Sequence, residues 1–203
     1  MSRSSNLLLT SSGIHDSPTL LPALEARVAG LHTAAIITTA SREHKEQSKH
    51  AVATREALHG LGFGRVDFVD VEFENPEILK RHHVVYIVGG HPFYLMHHLR
   101  RSGADAILRN ISEAGETLII GSSAGAVVLG PNLRIVEAFD PDLAIGYEDF
   151  TGVGIVPFTI LPHVNRWREK LPDLEQRLRS FTADTGLQVE LLGDGESLFI
   201  EQR

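Results

Sequence analysis

The strongest chemical signal in the sequence is a Gly-x-Ser-x-Gly motif at residues 121–125. An apolar strand is predicted directly before it at Thr117–Ile120, and a helical run after it at Ala124–Leu129, which is the context of a nucleophile turn. A strand-to-helix turn this sharp requires small neighbours, and Gly, Ser, Ala and Gly surround Ser123. We therefore predict that Ser123 is a nucleophile and that the backbone N–H of Ala124 stabilises an oxyanion. The alternative is a tight turn that only packs a helix on a strand.

A serine nucleophile needs a base, and the chain has 11 histidines. His163 is the candidate, because the extended apolar segment Thr159–Leu161 and a proline precede it and place it at the end of a strand. The other histidines include two adjacent pairs, His82-His83 and His97-His98. Neighbouring side chains point in different directions, so these pairs lack metal-ligand spacing and are predicted to lie in solvent.

The remaining groups of such a site are a carboxylate that orients the imidazole and a second oxyanion donor. Glu137, Asp140 and Asp142 lie between the serine and the histidine, and the sequence leaves open which of them turns inward. The turn Gly89-Gly90 follows the predicted strand Val84–Val88 and suits the second donor, because glycine lets the backbone approach a ligand closely. A phosphate or dinucleotide loop is the alternative, but no G-x-G-x-x-G or Walker pattern occurs.

Short apolar runs alternate with amphipathic stretches, which predicts a three-layer α/β/α domain with a mostly parallel sheet over residues 1–203. The predicted strands are Asn6–Thr10, Ala34–Thr38, Val66–Val71, Val84–Val88, Thr117–Ile120, Arg134–Glu137, Thr159–Leu161, Gln188–Leu192 and Ser197–Glu201. The predicted helices are Ser17–Val28, Glu46–Leu61, Pro92–Arg101, Ala104–Glu113 and Glu169–Phe181. Ligands bind such sheets beyond the carboxyl ends of the strands, where the two glycine-containing turns lie.

Composition limits the classes of partner and chemistry. The 203 residues include no cysteine, which excludes disulfides, thiolate metal sites and a cysteine nucleophile. A net charge of −7 and the lack of a basic stripe argue against nucleic-acid binding. No apolar run has the length of a membrane span or a signal peptide, so we expect a soluble cytoplasmic protein that makes no membrane contact. We expect it to be a monomer or a homodimer.

Three motifs together resemble the dipeptidase E and cyanophycinase family of serine peptidases: Val88-Gly89-Gly90-His91, the segment Gly121–Ala126, and Pro162-His163. The resemblance covers nearly the whole chain and implies a fold similar to the class I glutamine amidotransferases, with serine in place of their cysteine. It implies Ser123 as nucleophile, His163 as general base, and Gly90 and Ala124 as oxyanion-hole amides. For the acid it favours Asp140, 17 residues after Ser123, with Glu137 in reserve. The implied substrate is a small peptide, and neither metal nor organic cofactor is required.

The chain departs from the family pattern at two places. His91 stands where the family usually has Asn, and Arg166 and Arg168 lie in a segment unlike the one in which dipeptidase E members hold an N-terminal aspartate. Specificity for aspartate is therefore not predicted. Two other functions stay open at this point: an esterase of the α/β-hydrolase class, and a non-catalytic binding or regulatory protein on the same scaffold.

Overall fold

The computed structural model describes residues 6–15, 17 and 19–200. The strands are β1 Leu7–Thr10, β2 Thr33–Ile37, β3 Arg65–Val69, β4 Val84–Ile87, β5 Leu118–Ser122, β6 Thr159–Pro162, β7 Val189–Leu192 and β8 Ser197–Ile200. The helices are α1 Leu20–Val28, α2 Lys49–Gly60, α3 Pro92–Ser102, α4 Ala104–Ala114, α5 Ala124–Val128, α6 Arg134–Phe139, α7 Val164–Lys170 and α8 Leu174–Thr185. Short 3₁₀ helices lie at Lys45–Gln47, Pro76–Arg81 and Pro141–Ala144.

Six strands form the central sheet in the order β3-β2-β4-β5-β1-β8. All neighbours in it are parallel except β8, which runs antiparallel to β1. The inner strands are buried along their length, which explains continuous apolar runs such as Leu7-Leu8-Leu9. Helices flank this mostly parallel sheet, and the prediction of an α/β fold is confirmed.

The register of the sheet brings three strand ends together. Thr10 of β1 pairs with Ser122 of β5, and Ile87 of β4 pairs with Gly121 of β5. The residues that follow these strands, Ser11, Gly89-Gly90 and Ser123, therefore meet at one edge of the sheet. Strands β6 and β7 form a separate parallel pair, in which Pro162 lies opposite Leu192.

Two predicted elements differ from the structure. The sequence predicts an extended segment over residues 134–137, but these residues begin helix α6. The side chain of Asn132 accepts a hydrogen bond from the backbone N–H of Arg134 where this helix starts. The single helix predicted over residues 169–181 is two helices, α7 and α8. Pro172 disfavours helical backbone at the preceding residue, and Leu171 is extended there with φ −123° and ψ 96°.

The predicted helix start at Ser17-Pro18 and the strand end at Glu201 involve Pro18 and Glu201, which lie outside the described residues. None of the helices in the described ranges is long and apolar enough to cross a membrane.

Candidate active site

Ser123 lies in a strained turn between β5 and α5. Its backbone has φ 50° and ψ −115°, a conformation that side-chain-bearing residues rarely adopt. The flanking glycines permit the turn: a Cβ on Gly121 would lie 2.8 Å from the carbonyl oxygen of Gly125, and a Cβ on Gly125 would collide with the carbonyl of Ile87. Half-buried Ser123 is thus held in the geometry that the motif predicts.

His163 reaches Ser123 from the end of β6. Its Nε2 lies 2.9 Å from Oγ of Ser123, which is hydrogen-bonding distance for a base and its nucleophile. The histidine also has a positive φ, 58°, and its backbone N–H donates to Oγ of Ser11 at 2.8 Å. The turns after β1, β5 and β6 therefore position one another.

The carboxylate at the other ring nitrogen belongs to Asp194, in the loop between β7 and β8. Nδ1 of His163 lies 2.5 Å from Oδ1 of Asp194. The placement follows from the parallel pairing of β6 with β7, because the residues after each strand leave the pair at the same edge. The order along the chain is thus serine, histidine, acid, and not serine, acid, histidine as expected.

Hydrogen bonds hold Asp194 ionised. Burial by itself would raise the pKa of Asp194, but hydrogen bonds from His163, Arg166 and Asn165 outweigh it and lower the pKa to about 2. Nε of Arg166 lies 2.6 Å and Nδ2 of Asn165 3.3 Å from Oδ2. Ser11 donates to Oδ1 at 3.3 Å. The aspartate presents a fixed negative charge to the imidazole.

The three carboxylates considered in the sequence lie elsewhere. Asp140 lines a cavity beside Ser123 and His163, but Nδ1 of His163 is occupied by Asp194. Glu137 is exposed on the outer side of α6, in a surface depression shared with Arg134 and Asp173 of the α8 region. Asp142 is exposed as well. Asp140 as the orienting acid, and Glu137 as its reserve, are therefore corrected to Asp194.

Gly90 and Ala124, the two residues predicted to stabilise an oxyanion, lie beside Ser123. Ala124 is the first residue of α5, so its N–H has no partner within the helix, and Gly90 lines the same cavity as Ala124 and Ser123. Gly90 has φ 146°, and a Cβ there would collide with the carbonyl of Ala40, so only glycine fits. A Cβ on Gly89 would lie 2.9 Å from Cβ of Ser123.

His91, the residue that differs from the family's Asn, is the N-cap residue of helix α3. Its Nδ1 accepts a hydrogen bond from the backbone N–H of Tyr94, and its ring centroid lies 5.6 Å from that of Tyr147. Burial, followed by the charge of Arg42, lowers the pKa of His91. His91 therefore caps a helix in surroundings that disfavour its protonated form.

The paired histidines do not form a metal site. His82 and His98 are buried, with 4% and 5% of their surfaces exposed, so the expectation of solvated pairs is wrong for these two members. Burial lowers the pKa of both rings. Within the described ranges, no three His, Asp or Glu side chains are arranged to hold a metal ion.

Comparison with known sequences identifies the family of the chain. A sequence profile of peptidase family S51 matches residues 7–203. An uncharacterized peptidase of Listeria monocytogenes is 32% identical over 200 residues, which cover 96% of this chain and 94% of that protein. A protein named peptidase E from Shewanella sp. (strain ANA-3) is 29% identical over 185 residues, which cover 87% of this chain and 75% of that protein.

Solved structures share the fold. A crystal structure from Listeria monocytogenes, described as of the peptidase E type, matches with a TM-score of 0.76 and 28% identity and covers 98% of this chain and 96% of that chain. A peptidase from an acI-B1 actinobacterium has a TM-score of 0.66 at 20% identity, covers 99% of this chain and 86% of that chain, and shows the same fold. The resemblance to the dipeptidase E family is confirmed. Since the family profile extends over almost the entire sequence, the chain belongs to peptidase family S51 and is a serine peptidase.

Proposed function

We propose that Ser123, His163 and Asp194 form a catalytic triad that hydrolyses small peptides, dipeptides or isopeptide-like substrates, through an acyl-enzyme. The pair of contacts made by His163 carries the proposal: 2.9 Å to the serine oxygen and 2.5 Å to the aspartate oxygen. This is the arrangement in which a base takes the serine proton while a carboxylate fixes its tautomer.

The reaction follows from these contacts. Oγ of Ser123 bonds to the carbonyl carbon of the scissile amide as its proton passes to Nε2 of His163. The amides of Gly90 and Ala124 stabilise the oxyanion. The imidazolium, stabilised by Asp194, donates the proton to the leaving amine, and the C–N bond breaks. Water then attacks the acyl carbon and gives a proton to His163, which returns it to the serine as the acid product leaves.

Covalent labelling tests the proposal. Intact-protein mass spectrometry after treatment with a fluorophosphonate, with the modified peptide mapped, should show one adduct on Ser123. A panel of dipeptides should then be hydrolysed by the unlabelled protein and not by the labelled one. A folded protein that forms no adduct would overturn the triad and favour a non-catalytic binding protein on this scaffold.

The esterase alternative has a distinct outcome in the same assays. An esterase would form the adduct on Ser123 and cleave simple esters, but no dipeptide or isopeptide. Peptide cleavage that requires Ser123 separates the two. A cytoplasmic location and a monomeric or homodimeric state stay predictions from the sequence.

A further inference from the structure

Two cavities share Gly90, Ser123 and His163 in their walls, and they differ in chemistry. The first, which we call the apolar cavity, measures about 220 Å³. The second, the polar cavity, measures about 580 Å³ and includes Lys49 and Arg166. Because Ser123 lies between these cavities, the two halves of a bound peptide substrate would meet different surroundings.

The apolar cavity is walled by side chains from α5, α6, the following 3₁₀ helix, β6 and α7. Its apolar side chains include those of Val127, Ile135, Phe139, Leu143, Leu161 and Trp167. The wall is fixed in place: the indole N–H of Trp167 donates to the carbonyl of Pro162 at 3.1 Å, and the rings of Phe139 and Trp167 pack with centroids 6.0 Å apart. The cavity is smaller than the ~300 Å³ at which sites for whole drug-sized ligands begin. It suits a single side chain.

The wall of the apolar cavity offers a substrate carboxylate no basic side chain from Lys or Arg. Asp140 lines the cavity, and none of the described residues that line it is a Lys or an Arg. A substrate carboxylate placed there would lose its hydration beside a second carboxylate and gain no ion pair with Lys or Arg. An apolar side chain would instead be removed from water against aliphatic and aromatic groups.

The oxyanion amides indicate which half of the substrate enters. The acyl group remains bonded to Oγ of Ser123, with its oxygen directed at the amides of Gly90 and Ala124. Both residues line the apolar cavity, whereas Ala124 is not in the wall of the polar cavity. The carbonyl carbon bonded to Oγ of Ser123 would therefore lie at the mouth of the apolar cavity, which places this cavity within reach of the side chain on the acyl residue and the polar cavity on the side of the departing half.

We propose that the apolar cavity is the acyl-side specificity pocket and that the peptidase acts on substrates with an apolar residue, such as leucine, methionine or phenylalanine, on the acyl side of the scissile bond. The inference rests on the proposed function, because it requires an acyl group on Ser123. It makes Leu143 and Asp140 specificity-determining residues. Leu143 is half-buried in a short 3₁₀ helix, so its substitution leaves the sheet intact.

The test uses diphenyl 1-aminoalkylphosphonates, which carry the acyl-side chain on a phosphorus that Ser123 attacks with loss of phenol. Rates of Ser123 modification are measured by mass spectrometry for probes bearing leucine, phenylalanine, alanine and aspartate side chains. We expect the leucine or phenylalanine probe to react at least tenfold faster than the aspartate probe, because the apolar wall would desolvate the carboxylate without pairing it. Even one methylene in an apolar pocket changes rates by about 10- to 200-fold.

Variants assign the preference to the cavity. Leu143→Ala should slow the phenylalanine or leucine probe about tenfold and change the alanine probe much less. Asp140→Asn should speed the aspartate probe more than the leucine probe. Leu187→Ala is the matched control, because Leu187 is half-buried and lies outside both cavities; it should not alter the order of the probes.

The outcomes separate the two proposals. No modification of Ser123 by a plain fluorophosphonate overturns the proposed triad and the pocket with it. If the fluorophosphonate modifies Ser123 but the aspartate probe reacts fastest, the proposed apolar specificity is wrong and the triad stands. The same conclusion follows if the fluorophosphonate reacts and none of the side-chain probes does. An equal effect of Leu143→Ala on all probes would also contradict the pocket.

Discussion

His163 and Asp194 meet because they follow two strands that pair in parallel, β6 and β7. Pro162 lies opposite Leu192, so each side chain leaves the strand pair at the same edge, and Nδ1 of the histidine lies 2.5 Å from Oδ1 of the aspartate. Ser11, at the end of β1, contacts both residues and joins this strand pair to the central sheet. Through Ser11, the histidine after β6 is connected to β1, a strand far away in the sequence.

Replacing the orienting carboxylate should disable the site without unfolding it. In Asp194→Asn the imidazolium loses its counter-charge and the wrong tautomer can be held, so we expect kcat to fall about 10³- to 10⁴-fold, as in other Ser–His–Asp triads. Asp142→Asn, at an exposed position, is the matched control and should retain activity. Asp140→Asn should lower kcat far less than Asp194→Asn. Steady-state kinetics on one cleaved peptide measure all three, and a larger loss in Asp140→Asn would return the acid to its sequence-based position.

The nucleophile is tested by Ser123→Ala. Truncation of a half-buried serine should change the free energy of unfolding little, whereas loss of the covalent route should reduce kcat at least 10³-fold. Ser122→Ala, one residue earlier in the motif, should lose far less. Circular dichroism and urea unfolding report the fold, and peptide hydrolysis reports the chemistry. Equal activity in Ser123→Ala and wild type would exclude an acyl-enzyme on this serine.

The parts of this protein that the sequence predicts well depend on local signals. Buried strands such as β4 and β5 are continuous apolar runs, and the turn at Ser123 is specified by the small residues around it. The general fold could be predicted for the same reason. Helix α6 could not, because it has only six residues and begins after a local turn in which Asn132 accepts a hydrogen bond from the backbone N–H of Arg134.

The acid was missed because its position depends on a non-local pairing. Asp194 lies 31 residues after His163, and only the contact of β6 with β7 brings the two together. One feature of the sequence could have indicated Asp194. The segment Gly193-Asp194-Gly195 lies between the two predicted C-terminal strands, so it places a carboxylate in a tight turn at the end of a strand. The resemblance to the family favoured Asp140, which lies near the site but faces the apolar cavity.

The low pKa of Asp194 makes folding stability depend on pH. The folded-state pKa of about 2 lies below the ordinary value, so the unfolded chain binds the proton more tightly and the stabilisation is fully present only above about pH 4. It amounts to roughly 2 to 3 kcal/mol at neutral pH, of which about 1 kcal/mol is lost by pH 3. Urea unfolding of wild type and Asp194→Asn should show their difference in unfolding free energy shrinking as the pH falls from 6 to 3. A constant difference would mean that the aspartate is not held ionised by its partners.

Gly89, in the turn after β4, leaves the space that the side chain of Ser123 occupies. In Gly89→Ala the new methyl carbon would lie 2.9 Å from Cβ and 3.4 Å from Oγ of Ser123, so Ser123 or the turn at residue 89 must shift and the contact between the nucleophile and His163 should be disturbed. A displacement near 1 Å at reacting atoms can lower the rate about 10²-fold, and we expect kcat/KM to fall by that order. Gly64→Ala is the matched control, because a Cβ there meets nothing within 4 Å, and it should retain wild-type activity. Fluorophosphonate labelling of Ser123 should slow in Gly89→Ala in parallel with hydrolysis, since both reactions need the same serine–histidine contact; slower hydrolysis with unchanged labelling would place the effect of the methyl group on substrate binding instead.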